Sequence, residues 1–152
     1  MKKIIYSPGE PSGIGPDLII KLSSSKLWEN LKIPIVSIGD PKLFIDRAAL
    51  LKKKIKIIEL ESLNEVSKNT KGLIQIIKVT KCSNTRPGKL SKRNAQYVLD
   101  NLTYSIKQTM QNEGTALVTG PLSKENIISI DKLFTGHTEY IKKITKSKDV
   151  LM

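Results

Sequence analysis

One histidine, His137, and one cysteine, Cys82, are all that the 152 residues contain of either type. That scarcity excludes an internal disulfide and leaves no spacing for a zinc site built from Cys and His ligands. Cys82 reads as an unreactive thiol. Aromatic residues make up 5% of the chain, too few for the stacking platforms with which single-strand binders hold bases. No apolar run approaches transmembrane length, and MKKIIYSPGEPSG breaks at Pro8 before the core of a signal peptide could form. A cytoplasmic location is therefore expected by default. Acidic residues are scarce as well, 14 against 26 basic ones, which leaves a net charge of +12. Such a charge suits a phosphate backbone. Yet only Arg47, Arg86 and Arg93 among the basic residues are arginines, the type on which groove readers lean. The lysines are spread along the chain and read as surface solubilisers with a modest pull on small anions, so neither nucleic acid nor membrane is expected as a partner.

What the sequence does hold is a 39% apolar content, enough for one ordinary core, arranged as short strand-like runs alternating with longer runs of helical period. Strands are expected at 3–7, 33–39, 55–60, 72–79 and 115–120. Helices are expected at 16–28, where Pro16 takes the first position, and at 41–53, 89–110, 123–129 and 138–146. In the long helix Ala95, Val98, Leu99, Leu102 and Ile106 share one face. Strand alternating with helix implies an α/β fold with a largely parallel sheet flanked by helices. The run DVLM, 149–152, opens a further strand that needs more residues to cross a sheet. The chain is accordingly expected to be the N-terminal portion of a longer protein, ending inside a strand, with the fold incomplete at its C-terminus.

Three loops could carry chemistry. SPGEPSGIGPD, 7–17, lies between a strand and a helix; its glycines permit close backbone approach, and the helix start offers free N–H groups to an anion. It matches neither familiar phosphate loop, because Leu18 stands where G-x-G-x-x-G needs its last glycine and no Gly-Lys-Ser/Thr follows. A tight Gly/Pro turn is the plain alternative, with Glu10 a possible substrate or anion contact. VTGPLSKEN, 118–126, ends a strand and begins a helix, where Lys124 could reach a carboxylate or phosphate or simply be solvated. In FTGHTEY, 134–140, Gly136 permits a tight turn, Thr138 could cap a helix, and His137 would project at the helix's positive end, either as a ligand-binding group or as a structural one. One histidine cannot complete a metal site.

Taken together, PGEPSGIGPD, VTGPLSKENI and FTGHTEYI, with PGKLSKRNAQYVLDNL before the second, resemble the 4-hydroxythreonine-4-phosphate dehydrogenase family of vitamin B6 synthesis. The resemblance runs from Lys3 to Met152. Glu10 and Asp17 stand where many members carry Asp and Glu, which keeps the charge. The resemblance implies a fold like that of isocitrate and isopropylmalate dehydrogenases, two α/β domains in a homodimer with the active site between them. It implies oxidation of 4-phosphohydroxy-L-threonine by NAD or NADP to 2-amino-3-oxo-4-(phosphooxy)butanoate, which loses carbon dioxide to give 3-amino-2-oxopropyl phosphate. A divalent metal (Zn, Mg or Co) polarises the hydroxyl. The histidine and threonine of GHTE bind substrate in that family, which assigns the role to His137 and Thr138. The family's metal-binding histidines, and the lysine, asparagine and arginine that complete its substrate site, come from later segments. No catalytic or metal-binding residue can thus be assigned here, and the 152 residues alone are expected to be inactive. A dehydrogenase of phosphorylated sugar acids such as threonate or erythronate 4-phosphate is the near alternative. A basic anion- or nucleic-acid-binding module, or a remnant of a truncated gene, is the distant one.

Overall fold

A computed structural model of the chain describes residues 2–149. Its centre is a five-stranded parallel sheet of β1 (Lys3–Ser7), β2 (Ile35–Ile38), β3 (Lys56–Glu59), β4 (Leu73–Ile77) and β5 (Thr115–Thr119), in the spatial order β3-β4-β2-β1-β5. The helices are α1 (Gly15–Ser23), α2 (Lys26–Asn30), α3 (Pro41–Leu50), α4 (Ala95–Gln111), α5 (Lys124–Ile128) and α6 (His137–Thr145). This is the expected α/β architecture, and each of the five inner strand runs forms a strand. The further strand expected at 149–152 falls outside the described residues.

The pleat sends successive strand residues to opposite faces. Tyr6, Ile35, Ile74 and Ile76 accordingly join one apolar cluster with Ile19 and Ile20 of α1 and Leu43, Phe44 and Ala48 of α3. Ile5, Val36, Ile38 and Ile77 join a second with Leu60, Leu63 and Val66. The five apolar positions singled out on α4 are all buried, and the helix packs against β1 and β5. At the far edge β5 is only half covered, and Val118 is exposed.

Three helix boundaries differ from expectation. The run 16–28 forms two helices, because the hydroxyls of Ser23, Ser24 and Ser25 turn back onto carbonyls of the last turn, at 3.0 and 2.9 Å from Ile20 O and 2.7 Å from Leu22 O. Such bonds compete with continued helix. Trp28, almost fully buried, anchors the second piece. In 89–110 the α-helix begins only at Ala95, after a single 3-10 turn at Lys92–Asn94. The last helix starts at His137 with Gly136 as its N-cap, so Thr138 lies inside the first turn and does not cap it.

Candidate functional site

Strand order runs outward from β1 to β2 and then reverses to set β5 on the other side of β1. At such a switch point a crevice opens beyond the carboxyl ends of the strands. The loops that follow β1 and β5 emerge there side by side and interlock. Gly9 has φ +78°, and a Cβ on it would lie 2.2 Å from the carbonyl oxygen of Pro121; one on Gly120 would lie 2.3 Å from that of Pro8. Only hydrogen at these two positions permits the approach. Two backbone bonds join the loops, Glu10 N–H to Pro121 O at 2.9 Å and Gly120 N–H to Ser7 O at 2.7 Å.

Glu10 is buried, and its carboxylate is occupied within the protein. Oε1 accepts from the N–H and hydroxyl of Ser12, at 3.1 and 2.7 Å, and Oε2 accepts from Nδ2 of Asn126 at 3.1 Å. Asn126, also buried, donates to Ser91 O at 3.1 Å as well, so one amide ties α5, the first loop and the approach to α4 together. Around this junction Glu10, Gly13, Ile14, Leu90, Pro121, Leu122 and Ser123 line an open hollow. Ser123 caps α5 by accepting from Asn126 N–H at 3.3 Å. Lys124, the first residue of that helix, is exposed at the same end.

The third loop is held differently. Phe134 is buried, and its ring meets Tyr140 at a centroid distance of 5.4 Å. The Tyr140 and Thr103 hydroxyls share a hydrogen bond of 2.7 Å, which docks α6 on α4. Thr138 is partly buried in the first turn. The His137 ring is about half buried and makes no hydrogen bond among the described residues; burial pushes its pKa below the ordinary histidine value. A neutral imidazole follows at near-neutral pH, with one nitrogen to donate and one to accept. The structure thus joins the first two loops directly, and connects the third to them through the shared cluster of Ile127, Phe134, Leu122 and Tyr140.

Residues 30–152 match the family model described as pyridoxal phosphate biosynthetic protein PdxA. The chain belongs to this family. Among curated relatives, the 4-hydroxythreonine-4-phosphate dehydrogenases of Citrobacter koseri and Shewanella frigidimarina are 33% and 34% identical to it, over 100% and 99% of this chain and 45% of each relative. It therefore spans about half the length of the PdxA relatives it matches. Solved structures share the fold: the 4-hydroxythreonine-4-phosphate dehydrogenase of Klebsiella pneumoniae superposes with a TM-score of 0.87 at 23% identity, over 98% of this chain and 46% of that one. That of Burkholderia phymatum gives 0.86 at 20% identity, over 98% and 45%.

Two chemical properties of this PdxA chain bear on what the site can do. Among the described residues no three His, Cys, Asp or Glu side chains gather to hold a metal ion. The donor set of the described residues does not fit a divalent cation by itself. Burial first, then the charges of Asp40 and Glu10, push the Cys82 thiol up to about 12, so it stays protonated, as the unreactive reading requires. Nor is any helix of the described residues long and apolar enough to cross a membrane.

Sequence reasoning missed two residues that shape the site, Asn126 and Arg47. Arg47 did leave a signal. It lies three residues after Phe44 and four after Leu43, on the apolar face of α3, where an arginine must find buried partners.

Proposed function

We propose that a protein of this family carrying these loops, at the relatives' full length, oxidises 4-phosphohydroxy-L-threonine with NAD or NADP as hydride acceptor. The product, 2-amino-3-oxo-4-(phosphooxy)butanoate, decarboxylates to 3-amino-2-oxopropyl phosphate on the way to pyridoxal 5'-phosphate. The observation that carries the reading is the pairing of family membership with a hollow at the switch point, walled by the loops after β1 and β5. On this reading His137 and Thr138, which lie outside the hollow's own lining, bind substrate, and Lys124, exposed and cationic beside Ser123, attracts the phosphate or carboxylate. A neutral His137 contributes a directional hydrogen bond to substrate instead of charge. Glu10 keeps the two loops together while its carboxylate faces inward. The working unit in this reading is a cytoplasmic homodimer.

A divalent metal and the nicotinamide belong to the reading of the whole protein. The metal supplies a Lewis acid for the hydroxyl, and the residues described here contribute binding and orientation only. The 152 residues alone should therefore show no turnover. NADH formation by that chain, dependent on substrate and supplied with metal, overturns this expectation.

The test of the main reading is a substrate panel in the complete protein with NAD and NADP. Turnover of the phosphorylated hydroxythreonine above threonate and erythronate 4-phosphate supports it, and the reverse order moves the assignment to the sugar-acid branch. His137→Ala should raise KM or lower kcat/KM and leave bound metal unchanged; metal loss would refute the substrate role. Tight, steeply salt-dependent binding to nucleic acid, with Kd below the ordinary non-specific range of about 10⁻⁴ to 10⁻⁶ M, would favour a binding module.

A further inference from the structure

In the first loop six consecutive carbonyls, from Glu10 to Gly15, each accept a hydrogen bond from within the protein. Glu10 O takes the N–H of Gly13 at 3.0 Å, Ser12 O that of Gly88 at 2.8 Å, and Ile14 O that of Leu18 at 3.0 Å. The Tyr6 hydroxyl donates to Gly15 O at 2.9 Å. The remaining two, Pro11 O and Gly13 O, both depend on one side chain. Arg47, reaching across from α3, donates from Nη2 to Pro11 O at 2.7 Å and from Nη1 to Gly13 O at 2.9 Å. The same Nη1 pairs with the carboxylate of Asp17 in the first turn of α1. The Arg47 side chain is 3% exposed, so water competes little for its carbonyl partners.

We propose that Arg47 is a positioning residue for the substrate site, holding the 10–17 loop in the conformation that forms one wall of the hollow. The inference rests on the functional reading above, and it adds a residue that stands directly behind the hollow's lining without being part of it. Three features carry it. Pro11 and Gly13 flank Ser12, whose N–H and hydroxyl meet Glu10, so the arginine and the Glu10–Asn126 bond grip the same turn from two sides. Gly13 and Ile14 line the hollow, so a shift of that turn moves its wall directly. A planar fork of fixed N–H groups can serve two carbonyls and a carboxylate at once; a lysine ammonium is a point charge on a flexible stem and reproduces only part of the set.

The experiment compares wild type, Arg47→Lys, Arg47→Met and Asp17→Asn in the complete protein, with Lys42→Ala on the same helix as a control. Lys42 is exposed, and its ammonium pairs with the exposed Asp46. Amide hydrogen exchange gives the state of the loop, and kcat and KM for the phosphorylated hydroxythreonine give the state of the site. We expect exchange at Ser12, Gly13 and Ile14 to rise about tenfold or more in Arg47→Met, while amides of β1 and β2 keep their protection. KM should rise about tenfold with kcat affected less, because a displaced wall weakens contacts made alike to the bound substrate and to the transition state. Arg47→Lys should recover part of both effects, and Asp17→Asn, which keeps the two carbonyl bonds, should show smaller changes of the same kind.

Unchanged loop exchange in Arg47→Met and Arg47→Lys would overturn the holding role. Faster loop exchange with kinetic constants within twofold of wild type would overturn the link to the site. If Arg47→Met does not fold, Arg47→Lys and Asp17→Asn decide by the same criteria. A wild-type protein that turns over none of this substrate would defeat the functional reading and the positioning claim that rests on it, while the exchange data would still decide whether Arg47 holds the loop.

Discussion

The two ends of the candidate site are held in opposite ways. Loops 8–17 and 120–126 are joined by backbone hydrogen bonds, by glycines that admit a carbonyl where a Cβ would clash, and by the buried Glu10–Asn126 pair, while buried Arg47 braces the first loop from α3. The segment carrying His137 and Thr138 rests on Phe134, on Tyr140 and on the hydroxyl pair with Thr103, and its helix α6 buries none of its residues fully. One wall is therefore built into the chain, and the other is docked on α4 through a few partly exposed contacts. Local stability follows the number of buried contacts, so the two regions should open at different rates. The histidine proposed to bind substrate thus lies on the side that can adjust, and the hollow on the side that cannot.

The sharpest way to break this comparison is to force the interlocked loops apart. Gly9→Ala and Gly120→Ala would each drive a methyl group into a backbone oxygen, and Gly9 has a left-handed φ in addition. We expect losses of about 2–4 kcal/mol for each, with Gly9→Ala the larger, read from urea unfolding midpoints. A loss below about 0.5 kcal/mol would mean that the loops separate freely and that the rigid wall does not exist.

Next in size is Asn126→Ala. It leaves one oxygen of the buried Glu10 carboxylate without its donor, and Ser91 O loses a partner at the same time. A cost of about 1–3 kcal/mol is expected, concentrated in the first two loops. By contrast Tyr140→Phe removes one hydroxyl bond on a partly exposed helix, and about 0.5–1.5 kcal/mol should be lost. Exchange should rise through α6 while loops 8–17 and 120–126 stay protected. Equal loosening of both regions by either variant would show one cooperative unit in place of two.

The same contrast explains what could be read from the sequence. The inner strands β1, β2 and β4 were legible because parallel strands covered on both faces leave continuous apolar runs, and the less covered edge strands β3 and β5 still left short ones. The face of α4 was legible from its spacing, and the three loops from their glycines and prolines. The break after Ser23 was not, since three serines signal a helix end only when their hydroxyls fold back onto the preceding carbonyls. The inward role of Glu10 was hidden for a different reason. Its partner Asn126 lies 116 residues away, and Arg47 reaches its loop partners across 30 to 36 residues. No local pattern encodes such pairings; the first exists only once β5 has been laid beside β1, and the second only once α3 has packed against α1. The residues proposed to contact a ligand were easier to nominate than those that hold the backbone behind them.

The smallest expected effect is also the most direct probe of the docked side. His137 is the sole histidine, so its ring gives one unambiguous NMR titration. Burial disfavours its charged form, and its midpoint should fall below the 6.5 of a free side chain. The sign of the linked stability follows. With the folded pKa lower than the unfolded one, the unfolded chain binds more protons between the two values. Stability is then full above about 6.5 and declines as pH falls from there through the folded midpoint. His137→Gln should flatten that part of the pH–stability curve while leaving the Gly9 and Gly120 variants' penalties as they are, since the histidine makes no bond to their loops. In Tyr140→Phe, where α6 is looser, the ring becomes better solvated and its midpoint should move back toward 6.5. A midpoint above 6.5 in the wild type would mean that an acidic partner, and not burial, governs the ring, and His137 would then meet an anionic substrate as a cation.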